Sequence, residues 1–291
     1  MRKNILILIG VVIASCTSKT QKTELSPNPE STNGQYELRL KGHNGDRSLT
    51  VYHSDSAVED FEQNQKVRDH QEILDFVVST EIADARENQI TVRTKTVEKD
   101  GTGSLHDFAF PEPDESIDFI YSSDAEVLRA DPFPKASIFF LPPISLPSYD
   151  VKVGDTWTMD HAWISSNEGL PLNLNMVTIF KGVVGCGPFG KCAELEISGQ
   201  VEVASESLQK MIRFDSRVWG RLLFSMEKGD VIWSEVRSQD IFKAKGNETR
   251  VLSCMVSRTR PPAPAESAST THDKITCEPS IKMVPSPKLQ F

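Results

Sequence analysis

From Ala193 to Val203 the chain alternates. Ala193, Leu195, Ile197, Val201 and Val203 fall on one side, and Glu194, Glu196, Ser198, Gln200 and Glu202 on the other. Side chains of a strand point alternately to its two faces, so an extended conformation buries the first set and solvates the second. A helix would scatter the same residues around its surface. One apolar face and one charged face is the signature of an antiparallel sheet with a single covered side.

The same period recurs along the chain. Leu74, Phe76, Val78, Thr80 and Ile82 share a face, as do Leu172, Leu174, Met176, Thr178 and Phe180. Ile212, Phe214, Val218, Leu222 and Phe224 form another row, and Gly220 on that row suggests a bend or bulge. Further strands are predicted at Tyr36–Lys41, Ser48–His53, Gln89–Glu98, Ile117–Tyr121, Glu126–Arg129, Trp157–Trp163, Val231–Arg237, Ile241–Lys245 and Thr249–Arg258. Ser56-Ala57-Val58-Glu59 fits a capping box and predicts one short helix running to Val67. Gly101-Thr102-Gly103-Ser104 reads as a flexible hairpin tip. The expected fold is mainly β, with antiparallel twisted sheets and little helix.

Residues 131–150 have a different texture. Pro132, Pro134, Pro142, Pro143 and Pro147 stand beside Ile138, Phe139, Phe140 and Leu141. Proline excludes an inner strand, and the apolar residues exclude a solvated linker. An extended crossover packed along the body satisfies both. It divides a β-rich body at 36–260 into halves of about 36–130 and 151–260. The halves share an order of strands at an offset of about a hundred residues, with Tyr121-Ser122 and Phe224-Ser225 at matching places. This pattern fits two duplicated β-meanders, and it equally fits two unrelated ones. Residues 261–291 begin with a Pro/Ala/Ser linker and end in a tail holding Cys277. The stretch Val151-Lys152-Val153-Gly154-Asp155-Thr156-Trp157 is similar to a turn of uncharacterised β-rich secreted bacterial proteins. The resemblance spans Leu74–Ser238 and implies no catalytic residues.

The amino terminus addresses location. Arg2 and Lys3 precede an apolar run from Ile5 to Ile13, followed by Ala14, Ser15 and Cys16. A cationic start, a short apolar segment and small residues before a cut describe a signal peptide, here residues 1–15. The run is well short of the roughly 20 residues of a membrane-spanning helix. Ile13-Ala14-Ser15-Cys16 resembles the lipobox of bacterial lipoproteins, which implies lipidation of Cys16, including a palmitate-type acyl chain on its amino group. Thr17 and Ser18, rather than Asp, follow the cysteine, and in that family this implies the outer membrane. Residues 16–35 then hold one apolar residue, Leu25, and read as a disordered tether reaching roughly 25 Å. Loss of Arg2 and Lys3 from 32 basic residues leaves 30 against 41 acidic ones, about −11. With no basic block, nucleic acid is not an expected partner.

Four further cysteines, Cys186, Cys192, Cys254 and Cys277, suit disulfides in an exported chain, with three connectivities open. Cys186 and Cys192 flank a short loop and are natural partners, which leaves Cys254 with Cys277. Closing these loops would contribute roughly 2 and 3–4 kcal/mol. The spacings lack paired zinc knuckles, so no metal is expected.

No nucleophile elbow, zincin helix, phosphate loop or dinucleotide motif occurs, so no catalytic residues and no cofactor are expected. His161 follows Asp160 on a strand, and adjacent strand residues face opposite ways, so the pair is not a catalytic dyad. Glu112-Pro113-Asp114-Glu115 could take a cation, with solvated loop charges as the default. Trp157, Met159, Trp163, Phe180 and Phe224 are apolar enough to line a concave face for a lipid, and would equally fill a core. The expected role is a membrane-anchored binding or envelope-structural protein, its partner an envelope protein. The alternatives are a carrier of a hydrophobic ligand and a hydrolase with dispersed catalytic residues.

Overall fold

The computed structural model describes residues 34–86, 88–164, 169–209, 211–260 and 275–277. The signal peptide, Cys16, most of the tether, the linker 261–274 and the tail 278–291 lie outside the described residues. Eleven strands form one antiparallel sheet. They are β1 (Arg47–Glu62), β2 (Gln65–Arg86), β3 (Gln89–Asp100), β4 (Ile117–Ser122), β5 (Val127–Asp131), β6 (Thr156–Ile164), β7 (Pro171–Gly185), β8 (Lys191–Val203), β9 (Ile212–Ser225), β10 (Asp230–Ala244) and β11 (Asn247–Thr259). The order is β5-β4-β3-β2-β1-β11-β10-β9-β8-β7-β6. Every chain neighbour is a sheet neighbour except β5 and β6, which form the two edges. The first and last strands pair with each other, Thr50 facing Thr259. The two halves therefore merge into one sheet, and no duplication is shown.

Register aligns the alternating faces into continuous rows. Trp157 faces Thr178, then Ile197, Gly220, Val236, Met255, Ser54 and Leu74, crossing eight strands. This inner face is curled. Ala125, from the turn between β4 and β5, packs in one cluster with Trp157, Phe180, Leu195 and Leu222 of β6–β9. Only a rolled sheet brings strands so far apart in the order together. The crossover closes the seam. Its 3-10 turn Ile138–Phe140 packs on Ile117, Phe119 and Val127 of one edge, and Ile138 also reaches Trp163 and Leu172 of the other. Ile164 donates its backbone N–H to Ala136 at 2.7 Å.

Gly220 permits a close approach rather than a bulge. A Cβ there would lie 2.5 Å from the Glu235 carbonyl oxygen, and one at Gly199 would lie 2.3 Å from that of Asn175. The irregularity in β10 falls instead between Val231 and Trp233. The outward face carries charge, with Glu194 paired to Arg221 and Lys181 to Glu196. On β1, β2 and β11 the same outward face exposes Leu49, Ile73 and Leu252.

Three expectations are corrected. Ser56–Glu62 is strand, continuing β1 into a hairpin with β2, because the stretch lacks the 3.6-residue apolar spacing that would bury a helix. Tyr36–Lys41 contributes a single bridge, Tyr36 to Val151, and then crosses the end of the sheet, with Leu40 bonding Ser123 and Lys41 bonding Gly229. Gly101–Ser104 is not a free tip. A Cβ at Gly101 would meet the Ile73 carbonyl oxygen at 2.4 Å, and the loop continues into the fully buried Leu105 and into Phe110 on the inner face.

Both disulfides form as paired in the sequence reading, Cys186–Cys192 and Cys254–Cys277. Cys254 lies between Asp55 and Arg237 on the outward face, so its bond ties residue 277 to that surface. Beside it His53, Val256 and Glu235, aligned across β1, β11 and β10, are buried although they face outward. His53 donates to Asp75 at 2.7 Å, and Arg237 donates twice to Glu235.

Candidate functional site

The five residues picked out as an apolar face do share the inner surface, and four of them are core. Phe180 and Phe224 have no exposed surface, and Trp157 and Trp163 are buried. The Trp157 indole N–H donates to the Ser145 carbonyl at 2.8 Å, which pins the crossover against the sheet. Leu38, Ile144, Leu146 and Val151 complete that cluster from the amino-terminal segment and the crossover. The chain thus covers its own concave face. A cavity of about 70 Å³ lies under the crossover, lined in part by Pro142, Pro143, Met159, Met176 and Ile197. Small-molecule sites usually need roughly 300 Å³ or more.

Further along the same face the lining becomes polar. Ser234 and Ser257 bond at 2.6 Å, Ser238 and Ser253 at 2.8 Å, and Thr50 and Thr259 at 3.0 Å. These are cross-strand hydroxyl pairs of the kind that hold register. Asp240 accepts from Ser238, and its burial raises the carboxyl pKa. Burial also lowers the His161 imidazole, against a small opposing pull from Glu126.

Asp230 is the more unusual carboxylate. Its side chain borders open space, yet enough protein surrounds it to desolvate the charge and push the carboxyl up to about 6. Tyr52 and Tyr121, both held above the ordinary phenol range by burial, feel its charge. Folding therefore favours protonated Asp230. That contribution is complete below about 3.8 and is lost as the pH rises through about 6. Asp230→Asn should raise the melting temperature at about pH 7.5, with a smaller gain at about pH 4.5. Equal gains at both values in thermal unfolding would refute the shift.

A larger cavity, about 240 Å³, opens on the surface between Glu115, Ser116, Pro132 and Phe133. The hairpin geometry assembles it. Asp118 and Asp131 are register partners at the base of the β4–β5 hairpin, so the residues just before β4 and just after β5 are forced together. His106 donates from Nε2 to Glu115 at 2.6 Å and lies nearly perpendicular to the rings of Phe133 and Phe139. The acidic run stands out in the sequence, and its partners do not. Pairing across the Ile117–Asp131 hairpin was the signal that could have found them. Among the described residues, no group of three or more His, Cys, Asp or Glu side chains is placed to hold a metal ion.

No protein-family profile and no curated protein matches the chain. Solved structures align only distantly. Ail, the attachment invasion locus protein of Yersinia pestis, crystallised with the heparin analogue sucrose octasulfate, shares 6% identity, with 75% of this chain and 100% of Ail covered, at a TM-score of 0.19. An outer membrane channel from Pseudomonas putida F1 shares 8% over 79% of this chain and 100% of its own, at 0.23. OccK8 of Pseudomonas aeruginosa shares 7% over 77% and 100%, at 0.17. Superpositions this distant transfer neither fold nor function.

Proposed function

We propose that this chain is a lipid-anchored protein of the bacterial envelope, attached through Cys16 to the outer membrane, that acts by recognition at its surface. The signal segment ending Ala14-Ser15-Cys16 supports the anchor. Two acyl signals suffice for stable attachment without a spanning segment. The cover that the crossover places over the β6–β9 part of the concave face carries the rest. Phe180 and Phe224 are inaccessible, and the 70 Å³ cavity under the crossover is too small for a lipid. A carrier role would require the crossover to lift from Trp157 and the methionines.

Two measurements on the full chain test this. Radiolabelled palmitate should enter the wild-type chain and not Cys16→Ser, and labelling of the variant would remove the anchor. Solvent extraction of the purified wild-type protein should release no stoichiometric lipid, since a covalent anchor stays with the polypeptide. A stoichiometric extractable lipid would replace surface recognition with the carrier role.

A further inference from the structure

The surface cavity at the base of the β4–β5 hairpin has chemistry that the anchor and the core leave unused. Its one charged wall is Glu115. Oε2 of this carboxylate accepts from His106 Nε2 at 2.6 Å and from the Glu112 backbone N–H at 3.1 Å. Two donors on one oxygen fix the side chain's direction. Oε1 accepts no hydrogen bond from the described residues. The His106 hydrogen bond, opposed by slight desolvation, also holds the Glu115 carboxyl below the usual range, so it is ionised at neutral pH. Nearby cations are engaged elsewhere, Lys99 with Glu112 at 2.7 Å and Arg129 with Asp131 at 2.6 Å.

The opposite wall is aromatic. Phe133 stacks on Phe139 with centroids 3.8 Å apart, and both rings stand nearly perpendicular to His106. This packing immobilises Phe133 while it still borders the cavity. A fixed carboxylate facing a fixed aromatic ring is the arrangement that attracts an organic cation, by charge at one side and by the ring quadrupole at the other. A metal ion finds too few oxygen ligands here. The volume, about 240 Å³, falls below that of ordinary small-molecule sites and suits one side chain.

We propose that the cavity between Glu115, Ser116, Pro132 and Phe133 receives a cationic side chain, arginine above all, from a protein partner. The guanidinium would bond to the free oxygen of Glu115 and lie against Phe133, with His106 as the residue that positions the carboxylate. Arginine is favoured over lysine because its planar fork matches a carboxylate and stacks on a ring. This rests on the reading of the body as a surface-recognition module. Its test is a direct titration, independent of the palmitate and extraction experiments.

Calorimetry on the full chain in detergent would use acetyl-Gly-Arg-Gly-amide, its citrulline counterpart and free agmatine. The arginine peptide should bind, the neutral citrulline peptide about tenfold more weakly, and Glu115→Gln should cost the arginine peptide a similar factor. Glutamine keeps an acceptor for His106, so the loop should stay folded, with an unchanged melting temperature as the control. Phe133→Leu should weaken the arginine peptide more than the citrulline peptide. Three results would overturn the proposal: no binding at about 10 mM peptide, equal affinity for arginine and citrulline, or wild-type affinity in Glu115→Gln. Agmatine carries the same guanidinium and should bind as well; agmatine binding while the arginine peptide does not would assign the cavity to a small free cation and overturn the partner side chain.

Discussion

Phe224→Ala should lower the unfolding free energy by about 3–5 kcal/mol, the cost of deleting a large buried aromatic and leaving a cavity. Phe224 has no exposed surface and packs in the largest apolar cluster with Trp157, Phe180, Leu195 and Leu222. Domains of this kind are stable by only about 5–15 kcal/mol, so the variant would lose a substantial part of its stability. Urea unfolding measures it, and Phe224→Leu should be milder because less volume is lost. The result also bears on function. A concave face built to hold a ligand would tolerate the truncation, because that surface would already be open. A loss under about 1 kcal/mol would therefore contradict the filled interior on which surface recognition rests.

Alanine at Gly199 or Gly220 should each cost about 1–3 kcal/mol, although only a methyl group is added. The new Cβ at Gly199 would sit 2.3 Å from the Asn175 carbonyl oxygen and 2.9 Å from the Met176 Cα. At Gly220 it would sit 2.5 Å from the Glu235 carbonyl oxygen and 3.0 Å from the Val236 Cα. The obstacles are backbone atoms of adjacent strands, so no rotamer change relieves them. Both glycines lie on the inner face, in register with Met176 and Val218, and with Ile197 and Val236. A chemical denaturation midpoint shifted downward in both variants, with secondary structure kept, is the expected outcome. Neutral substitution at both positions would mean that the strands can separate there at no cost.

Most strands were legible because one face is apolar and the other charged. Ala193–Val203 shows this most plainly, and β8 covers it. The reading failed where the inner face itself turns polar. β10 was expected as two strands, Val231–Arg237 and Ile241–Lys245, yet it is continuous. Ser238 and Asp240 interrupt its apolar period; Ser238 bonds Ser253 of β11 and donates to Asp240, which Ser216 of β9 also bonds. Ser56 looked like a helix cap for the same reason, since its hydroxyl belongs to a polar row of the sheet. The cysteines paired as their spacing suggested. The five apolar residues lie in two clusters of the inner face, Trp157, Phe180 and Phe224 in one and Met159 and Trp163 in the other, and the cover over Trp157 depends on Ser145 accepting its indole N–H, a contact no local pattern announces. The Glu115 cavity depends in the same way on a hairpin register.

The pairing of β1 with β11 has a temporal consequence. Thr50 hydrogen-bonds Thr259 across 209 residues of sequence, and all of β1 beyond it zips to the last strand. As the polypeptide emerges, β1 and β2 can form their hairpin at once, but the other side of β1 must wait for the final strand to be delivered. Until then a long strand edge with free N–H and C=O groups stays available to any other extended chain. Contacts this distant in sequence also form slowly. The centre of the sheet therefore cannot close before β11 is delivered, and until then the β1 edge is where a nascent molecule is open to wrong pairing.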